Sequence, residues 1–272
     1  MVELMLWVLG ALAALLAGVW MIGAREPVYA IARKAPAWFV ALKRDRQRVL
    51  DLAPNVSVAW HSTADFTFIG DAEPYWTEFL ILNGGVADKS PLELGADVSD
   101  AFIARVNLMR PPRLALGVLN ILIRFGVLSR PHGAVLDDAQ AMGHDAAFMP
   151  SARNITTLLA RPPSYAPAMV NLLQYKGAEG ARAYMRYGRV AMRTVYRTGG
   201  CLLFYGRIAE IVRPALAGPA VGMWDDVAAM RYDRPDGILS MEHAPDYRAA
   251  LHDRDAGLLR TIVIASTPGA GP

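Results

Sequence analysis

Polar side chains interrupt two apolar runs in the C-terminal half of the sequence. Asn171 and Tyr175 stand four positions apart in the first run, so on a strand they face the same side. Asn171 is a candidate for orienting a carbonyl or hydroxyl group of a ligand, and a buried amide that is satisfied by backbone is the alternative. Tyr205 and Arg207 share one face of the second run in the same way.

An arginine and a histidine downstream could bind a ligand or move a proton. Arg231 could hold a carboxylate through two hydrogen bonds, although Asp225 and Asp226 lie close enough in sequence to form a surface ion pair with it. His243 is the candidate general base, because histidine titrates near neutral pH. Trp224 is expected in the core or at a dimer contact, and a ligand wall is the alternative.

Metal, cofactor and nucleophile chemistry has little support in the sequence. Cys201 is the only cysteine and is expected to be a small buried side chain, and no disulfide can form within the chain. Nothing fixes the geometry of a metal site among His132, Asp138, His144 and Asp145, so no metal and no cofactor are predicted. The G-x-S-x-G, P-loop, G-x-G-x-x-G and H-E-x-x-H motifs are absent, which disfavours the enzyme classes that use them.

The elements that would position these residues alternate between strand and helix. Strands are predicted at 168–175, 201–212, 223–232 and 259–266, and helices at 178–197 and 236–252, the second broken near Pro245. This β-α-β-β-α-β order predicts a ferredoxin-like sheet with helices on one face.

The segments MVNLLQYKG, FYGRI, WDDVAAMRYD, APDYRAALHDRDAGL and RTIVIAS resemble, in this order, a domain-of-unknown-function family. That family belongs to the dimeric α/β-barrel superfamily and is similar to EthD-like and small monooxygenase-like barrels. The resemblance covers about residues 149–272. It implies a homodimer whose two sheets close a barrel, with clefts that bind small hydrophobic molecules. Some members oxidise such molecules without a cofactor, some isomerise them, and some bind haem. Arg254 matches the family pattern and is a further candidate ligand-binding residue, with helix packing as the alternative.

Residues 25–150 are predicted to be a mixed, mainly helical region. Helices are expected at 36–52, 97–109 and 111–131, with β structure at 56–69 and 79–82. The helix at 111–131 is bounded by prolines and almost entirely apolar, so it is either buried in the core or lies at a membrane surface.

The N-terminus is predicted to be a transmembrane anchor. Residues 4–23 carry no charge and span about 30 Å as a helix, the thickness of a hydrocarbon core. A cleaved signal peptide is the alternative, but no basic residue precedes the apolar run and no small-x-small site follows it. Residues 25–48 carry seven basic and two acidic side chains, which predicts a cytoplasmic body.

Together these patterns predict an α+β protein with three parts: an anchor (1–24), a mainly helical middle (25–150) and a ferredoxin-like α/β-barrel domain (151–272). The net charge of +3 is too small to indicate nucleic-acid binding. The expected function is binding of a small hydrophobic molecule at the membrane, with cofactor-independent oxygenase or isomerase chemistry as the enzymatic option. The alternative is a non-enzymatic, membrane-associated dimerisation scaffold. Membrane lipid and a second copy of the chain are the expected partners.

Overall fold

The computed structural model describes residues 2–32, 36–45, 49–70, 73–131 and 145–269. The described helices are α1 Val2–Ala24, α2 Pro27–Ile31, α3 Arg113–Arg124, α4 Ala152–Leu159, α5 Gly177–Arg197, α6 Gly237–Ser240 and α7 Pro245–Gly257. The described strands are β1 Ala37–Arg44, β2 Asp51–Leu52, β3 Val56–Ile69, β4 Glu78–Gly84, β5 Leu92–Glu93, β6 Val98–Leu108, β7 Ala168–Tyr175, β8 Cys201–Arg213, β9 Asp226–Arg231 and β10 Leu258–Pro268. The fold is thus mixed α+β with one N-terminal apolar helix and a large antiparallel sheet.

Eight strands form one closed antiparallel barrel in the order β1-β4-β3-β10-β7-β9-β8-β6. Each half of the chain contributes four strands to the barrel. Around the barrel, both halves place their own four strands in the same order: fourth, first, third, second. That order is β6-β1-β4-β3 in the N-terminal half and β10-β7-β9-β8 in the C-terminal half. The halves join where β3 pairs with β10 and where β6 pairs with β8. The barrel therefore closes within one chain.

The C-terminal half has the strand and helix order that the sequence predicts. Helix α5 ends at Arg197, and Gly199 follows with a φ of +88°, the left-handed conformation that commonly ends a helix. The second helix is interrupted as expected. After α6 and a 3-10 turn at Met241–His243, α7 begins at Pro245, where a proline is tolerated because its missing N–H would have no partner.

The prediction of a mainly helical middle region is wrong. Ala37–Arg44 and Val98–Leu108, which lie within two of the predicted helices, form the strands β1 and β6, and Val56–Ile69 form the single long strand β3. β1 has apolar side chains on both faces: Phe39 points into the barrel cluster, whereas Trp38 and Val40 belong to a separate outer cluster. A strand buried on both faces lacks the alternation that identifies strands, so its apolar residues can be fitted to a helical period.

Aromatic side chains fill the interior of the barrel. Phe39 lies within 6.1 to 6.3 Å of Phe79, Phe102 and Phe204, and Trp60 lies 5.1 Å from Phe204, measured between ring centroids. Such spacings are those of packed aromatic pairs. The lumen is therefore hydrophobic core, and ligand sites have to be sought outside it, between the sheet and the helices.

Helix α1 stands apart from the barrel. It is long and apolar enough to cross a membrane by length and composition, and Gly23 is its one buried residue. Its C-terminal end contacts α3, and α3 lies beside α5. The apolar helix thus packs against α3 and continues in sequence into α2, whose Val28 and Ile31 are buried in the core.

Candidate functional site

An apolar cleft of about 470 Å³ lies between α3 and α5, over the strands β8 and β9. Its walls include Leu116 and Leu119 from α3 and Met192 from α5, and its floor includes Leu202 and Met230. The volume lies in the range of pockets that bind small organic ligands. A mostly apolar lining of this size favours a hydrophobic molecule.

Gly188 leaves this cleft open from the α5 side. A glycine inside a helix costs about 1 kcal/mol relative to alanine, so a packing reason is expected for it. At Gly180, earlier in α5, there is such a reason, because a Cβ would lie 2.6 Å from the carbonyl oxygen of Gly257. At Gly188 a Cβ would meet nothing within 4 Å. The absence of a side chain at Gly188 therefore leaves space in the cleft. In the sequence, the corresponding signal is a single glycine inside a predicted helix.

A buried carboxylate and two phenols adjoin the cleft at Tyr205, whereas Tyr175 and Asp226 line a neighbouring, more open cavity. Tyr175 donates a hydrogen bond to Oδ2 of Asp226 at 2.6 Å, and Tyr205, which lines the cleft, donates to the same oxygen. The two phenol oxygens are 2.9 Å apart. Asp226 is 1% exposed. We call Tyr175, Tyr205 and Asp226 the Tyr–Tyr–Asp cluster.

The phenols of this cluster are neutral donors at neutral pH. Burial, and after it the charge of Asp226, raises the pKa of Tyr205 above that of an ordinary phenol. Burial also raises the pKa of Tyr175, with the neighbouring Tyr205 and Tyr184 adding to the effect. A carboxylate held by two such donors can orient a hydroxyl group of a ligand or take part in proton transfer.

Three of the residues predicted from sequence meet in or beside this cluster. Tyr175 and Tyr205 belong to it, and Nε of Arg207 lies 3.8 Å from Oδ1 of Asp226, with the guanidinium largely in solvent. Asp226 itself was treated in the sequence only as an ion-pair partner for Arg231. Its role depends on β9 lying between β7 and β8, which no local pattern shows.

Asn171 and Arg254 line a different, smaller cavity of about 80 Å³ on the other side of Tyr184 and Tyr187. The side-chain amide of Asn171 donates to the backbone oxygen of Met169 at 2.8 Å. This is the alternative given above, in which the amide is satisfied by backbone rather than by a ligand. Arg254 is buried and hydrogen bonds to Asp255 at 2.9 Å. The cavity has room for a few water molecules rather than for an organic ligand.

Trp224, Arg231 and His243 lie away from the cleft. Trp224 is 2% exposed in the barrel core, and its indole N–H donates to Ala220 at 2.8 Å. Arg231 is exposed at the end of β9. His243 is exposed in the 3-10 turn and lines neither cavity.

The remaining candidates are explained by burial or lie outside the described residues. Cys201 is buried, and burial raises the pKa of its thiol, as expected for a structural cysteine. Within the described residues, His, Cys, Asp and Glu form no group of three or more that could hold a metal ion. His132, Asp138 and His144 lie outside those residues.

No protein-family model matches the chain, and no curated protein matches it. Two solved chains do match. One is RPA0582, a structural-genomics target of unknown function from Rhodopseudomonas palustris, with 25% identity over 45% of this chain and 96% of that chain, and a TM-score of 0.38. The other is methylated RPA0582, with 24% identity over 45% of this chain and 92% of that chain, and a TM-score of 0.37.

Proposed function

We propose that this protein is anchored in a membrane by α1 and binds a small hydrophobic molecule in the cleft between α3 and α5. The observation that carries the proposal is the apolar cleft of about 470 Å³, into which the helix-interior Gly188 places no side chain and where a Cβ at Gly188 would meet nothing within 4 Å. A hydrophobic ligand partitions into lipid, so an anchored cleft meets it at a higher local concentration than a free one would.

The anchor is supported by the exposure of α1. Leu6, Trp7 and Leu15 are each at least 60% exposed, which is costly in water and favourable in lipid. We place the body on the cytoplasmic side by the basic flank. Arg44, one of the seven basic residues of that flank, is buried in an ion pair with Glu78, so the sidedness depends on the others.

We further propose that the fold is a dimeric α/β barrel in which one chain supplies both ferredoxin-like sheets. The repeated strand order of the two halves supports this assignment. A homodimer through the C-terminal sheet stays a prediction, and β8 and β10 already have partners within the chain. A second copy would therefore have to bind at another surface.

If the ligand is transformed, the Tyr–Tyr–Asp cluster is the group that we expect to act, in place of His243. Tyr205 lines the cleft, whereas His243 is exposed outside it. A cofactor-independent isomerase or oxygenase needs a group that removes a proton from its substrate. We propose that the buried Asp226 carboxylate receives that proton through the hydroxyl of Tyr205, which lines the cleft.

Substitution at Gly188 tests the proposal. The leucine side chain of Gly188→Leu would fill the cleft without a clash at Cβ. Native mass spectrometry of detergent-purified protein should therefore show a retained hydrophobic molecule on the wild type and none on the variant. The control Gly188→Ala should keep the molecule and gain about 1 kcal/mol of helix stability. A wild-type protein without ligand, as the scaffold alternative expects, or equal retention by Gly188→Leu, would refute the proposal.

A further inference from the structure

The backbones of α1 and α3 touch through two glycines. A Cβ on Gly23 would overlap the carbonyl oxygen of Arg113, and a Cβ on Gly117 would overlap that of Val19. Each helix thus supplies one glycine to the crossing, which is the way in which helices approach closely in membranes. The position of α3 relative to the apolar helix is therefore fixed by backbone contact.

This contact sets the depth of α3. Val19 precedes Ala24, the last residue of α1, by five positions, or about 7.5 Å at 1.5 Å per residue. If α1 spans the bilayer, Gly117 lies level with a residue inside the apolar span. The turn of α3 around Gly117 then lies at or below the lipid headgroups.

The outward side of α3 and the residues after it suit that depth. Leu114, Val118, Phe125 and Val127 are 42%, 46%, 76% and 67% exposed. Basic residues surround them at 113, 124 and 130, and the guanidinium of Arg113 lies 4.6 Å from the ring centroid of Trp20 on α1. Exposed apolar side chains flanked by arginines are typical of helices that lie in the interface of an anionic bilayer.

We infer that α3 is embedded in the membrane interface and forms the lipid-side wall of the ligand cleft. Its inner residues Leu116 and Leu119 line the cleft, while Val118 and Phe125 face the acyl chains. The ligand then reaches the cleft sideways from the bilayer, so its class is a lipid-soluble molecule rather than a water-soluble one. The inference rests on the proposed function in one respect, namely that α1 spans the bilayer.

Fluorescent labels on single introduced cysteines test this. Full-length Val118→Cys and Phe125→Cys would be labelled with an environment-sensitive dye and placed in nanodiscs of phosphatidylcholine and phosphatidylglycerol, with or without a lipid-borne quencher. Leu216→Cys is the matched control, because Leu216 is 72% exposed and follows β8, at the barrel end opposite to α3. Leu12→Cys reports on α1 itself. Unsubstituted protein controls for labelling of the buried Cys201.

Labels at 118 and 125 should emit at shorter wavelength than the label at 216 and lose most of their emission to the quencher, as the label at 12 does. Labels at 118 and 125 that behave like the label at 216, while the label at 12 is quenched, would overturn the inference and leave the anchor intact. A label at 12 that stays unquenched would overturn the anchor as well, and with it the depth of α3.

Discussion

The Tyr–Tyr–Asp cluster shows what residue patterns could and could not predict. The period of two placed Asn171 with Tyr175, and Tyr205 with Arg207, on shared strand faces. It could not predict that β9 lies between β7 and β8 and brings Asp226 to both phenols. Residues whose contacts depend on strand order are hidden from local sequence reasoning, so Asp226 entered the sequence analysis only as an ion-pair partner of Arg231.

Removing one phenol of the cluster should weaken both folding and binding. Tyr205→Phe deletes a hydrogen bond to a buried carboxylate, which is worth about 1.5–3 kcal/mol. Tyr75→Phe is the matched control, because Tyr75 donates to Asp100 at 3.0 Å and does not line the cleft. Both variants should have a lower midpoint of thermal unfolding, but only Tyr205→Phe should lose retained ligand in native mass spectrometry. Equal ligand retention by the two variants would remove Tyr205 from the site.

Stability should fall at alkaline pH because of buried tyrosines. Burial raises the pKa of several phenols above the ordinary 10.0, so in the folded state they stay protonated when the unfolded chain ionises. The stability is fully present below pH 10 and is lost as pH rises above it, by about 1.4 kcal/mol per pH unit for each such tyrosine. These phenols belong to Tyr175, Tyr184, Tyr187, Tyr205, Tyr232 and Tyr247.

Two measurements check this expectation. The midpoint of thermal unfolding should drop steeply between pH 10 and 11, and the tyrosinate absorbance of folded protein at pH 11 should be well below that of unfolded protein. Complete ionisation of all tyrosines near pH 10 in the folded state would contradict the burial that the structure assigns to them.

At the scale of elements, the sequence located those that are bounded by clear turn residues. Helix α5 and the strands β7 to β10 were located within a few residues, because their composition changes at Gly and Pro boundaries. β1 and β6 were mistaken for helices, because one face packs in the barrel and the other against the outer cluster around Trp38. An element with apolar residues on both faces gives no period that separates strand from helix.

A buried ion pair ties the ends of β1 and β4 together. Arg44 binds Glu78 at 2.7 Å, and both side chains are at most 5% exposed. Arg44→Met should cost about 3–5 kcal/mol, because it leaves the Glu78 carboxylate buried without its arginine. Arg105→Met is the matched control, since the side chains of Arg105 and Glu210 are 31% and 53% exposed, and a pair that is screened by water in this way should be worth less than about 1 kcal/mol. Denaturant titration measures both changes, and equal losses would contradict the assignment.

The same pair predicts a loss of stability in acid. Burial alone would raise the pKa of Glu78, but hydrogen bonds from His61 and Arg44 outweigh it, so the pKa lies below the ordinary 4.5. The ion pair therefore contributes its full stability above about pH 4.5, and this contribution is lost as pH falls through the lowered pKa. Arg44→Met should reduce this acid sensitivity, which denaturant titrations at pH 6 and pH 3.5 would show.

At the scale of the molecule, the two halves of the barrel are covered differently in the residues that the structure describes. α5 and α7 pack against each other over the C-terminal half, whereas Trp38, Leu80 and Leu92 share an outer cluster over the N-terminal half. A cleft between sheet and helix exists where helices are present, so α5 and α3 place it on the C-terminal half, beside α1. The N-terminal half supplies the strands β3 and β6, which pair with β10 and β8 and close the barrel.

This division predicts the behaviour of the C-terminal half alone. Expressed as 151–272, it would lose the partners of β8 and β10, namely β6 and β3, and would uncover lumen side chains such as Phe204 and Ile264. Open edges and an apolar face drive association.

Because the two halves share one strand order, a second copy could replace the missing half, with β8 of each copy pairing with β10 of the other. Size-exclusion chromatography with light scattering should give the mass of two copies with native-like β content. A folded monomer would show that the N-terminal half is not needed to close the sheet, and the interpretation of one chain as two fused barrel halves would fail.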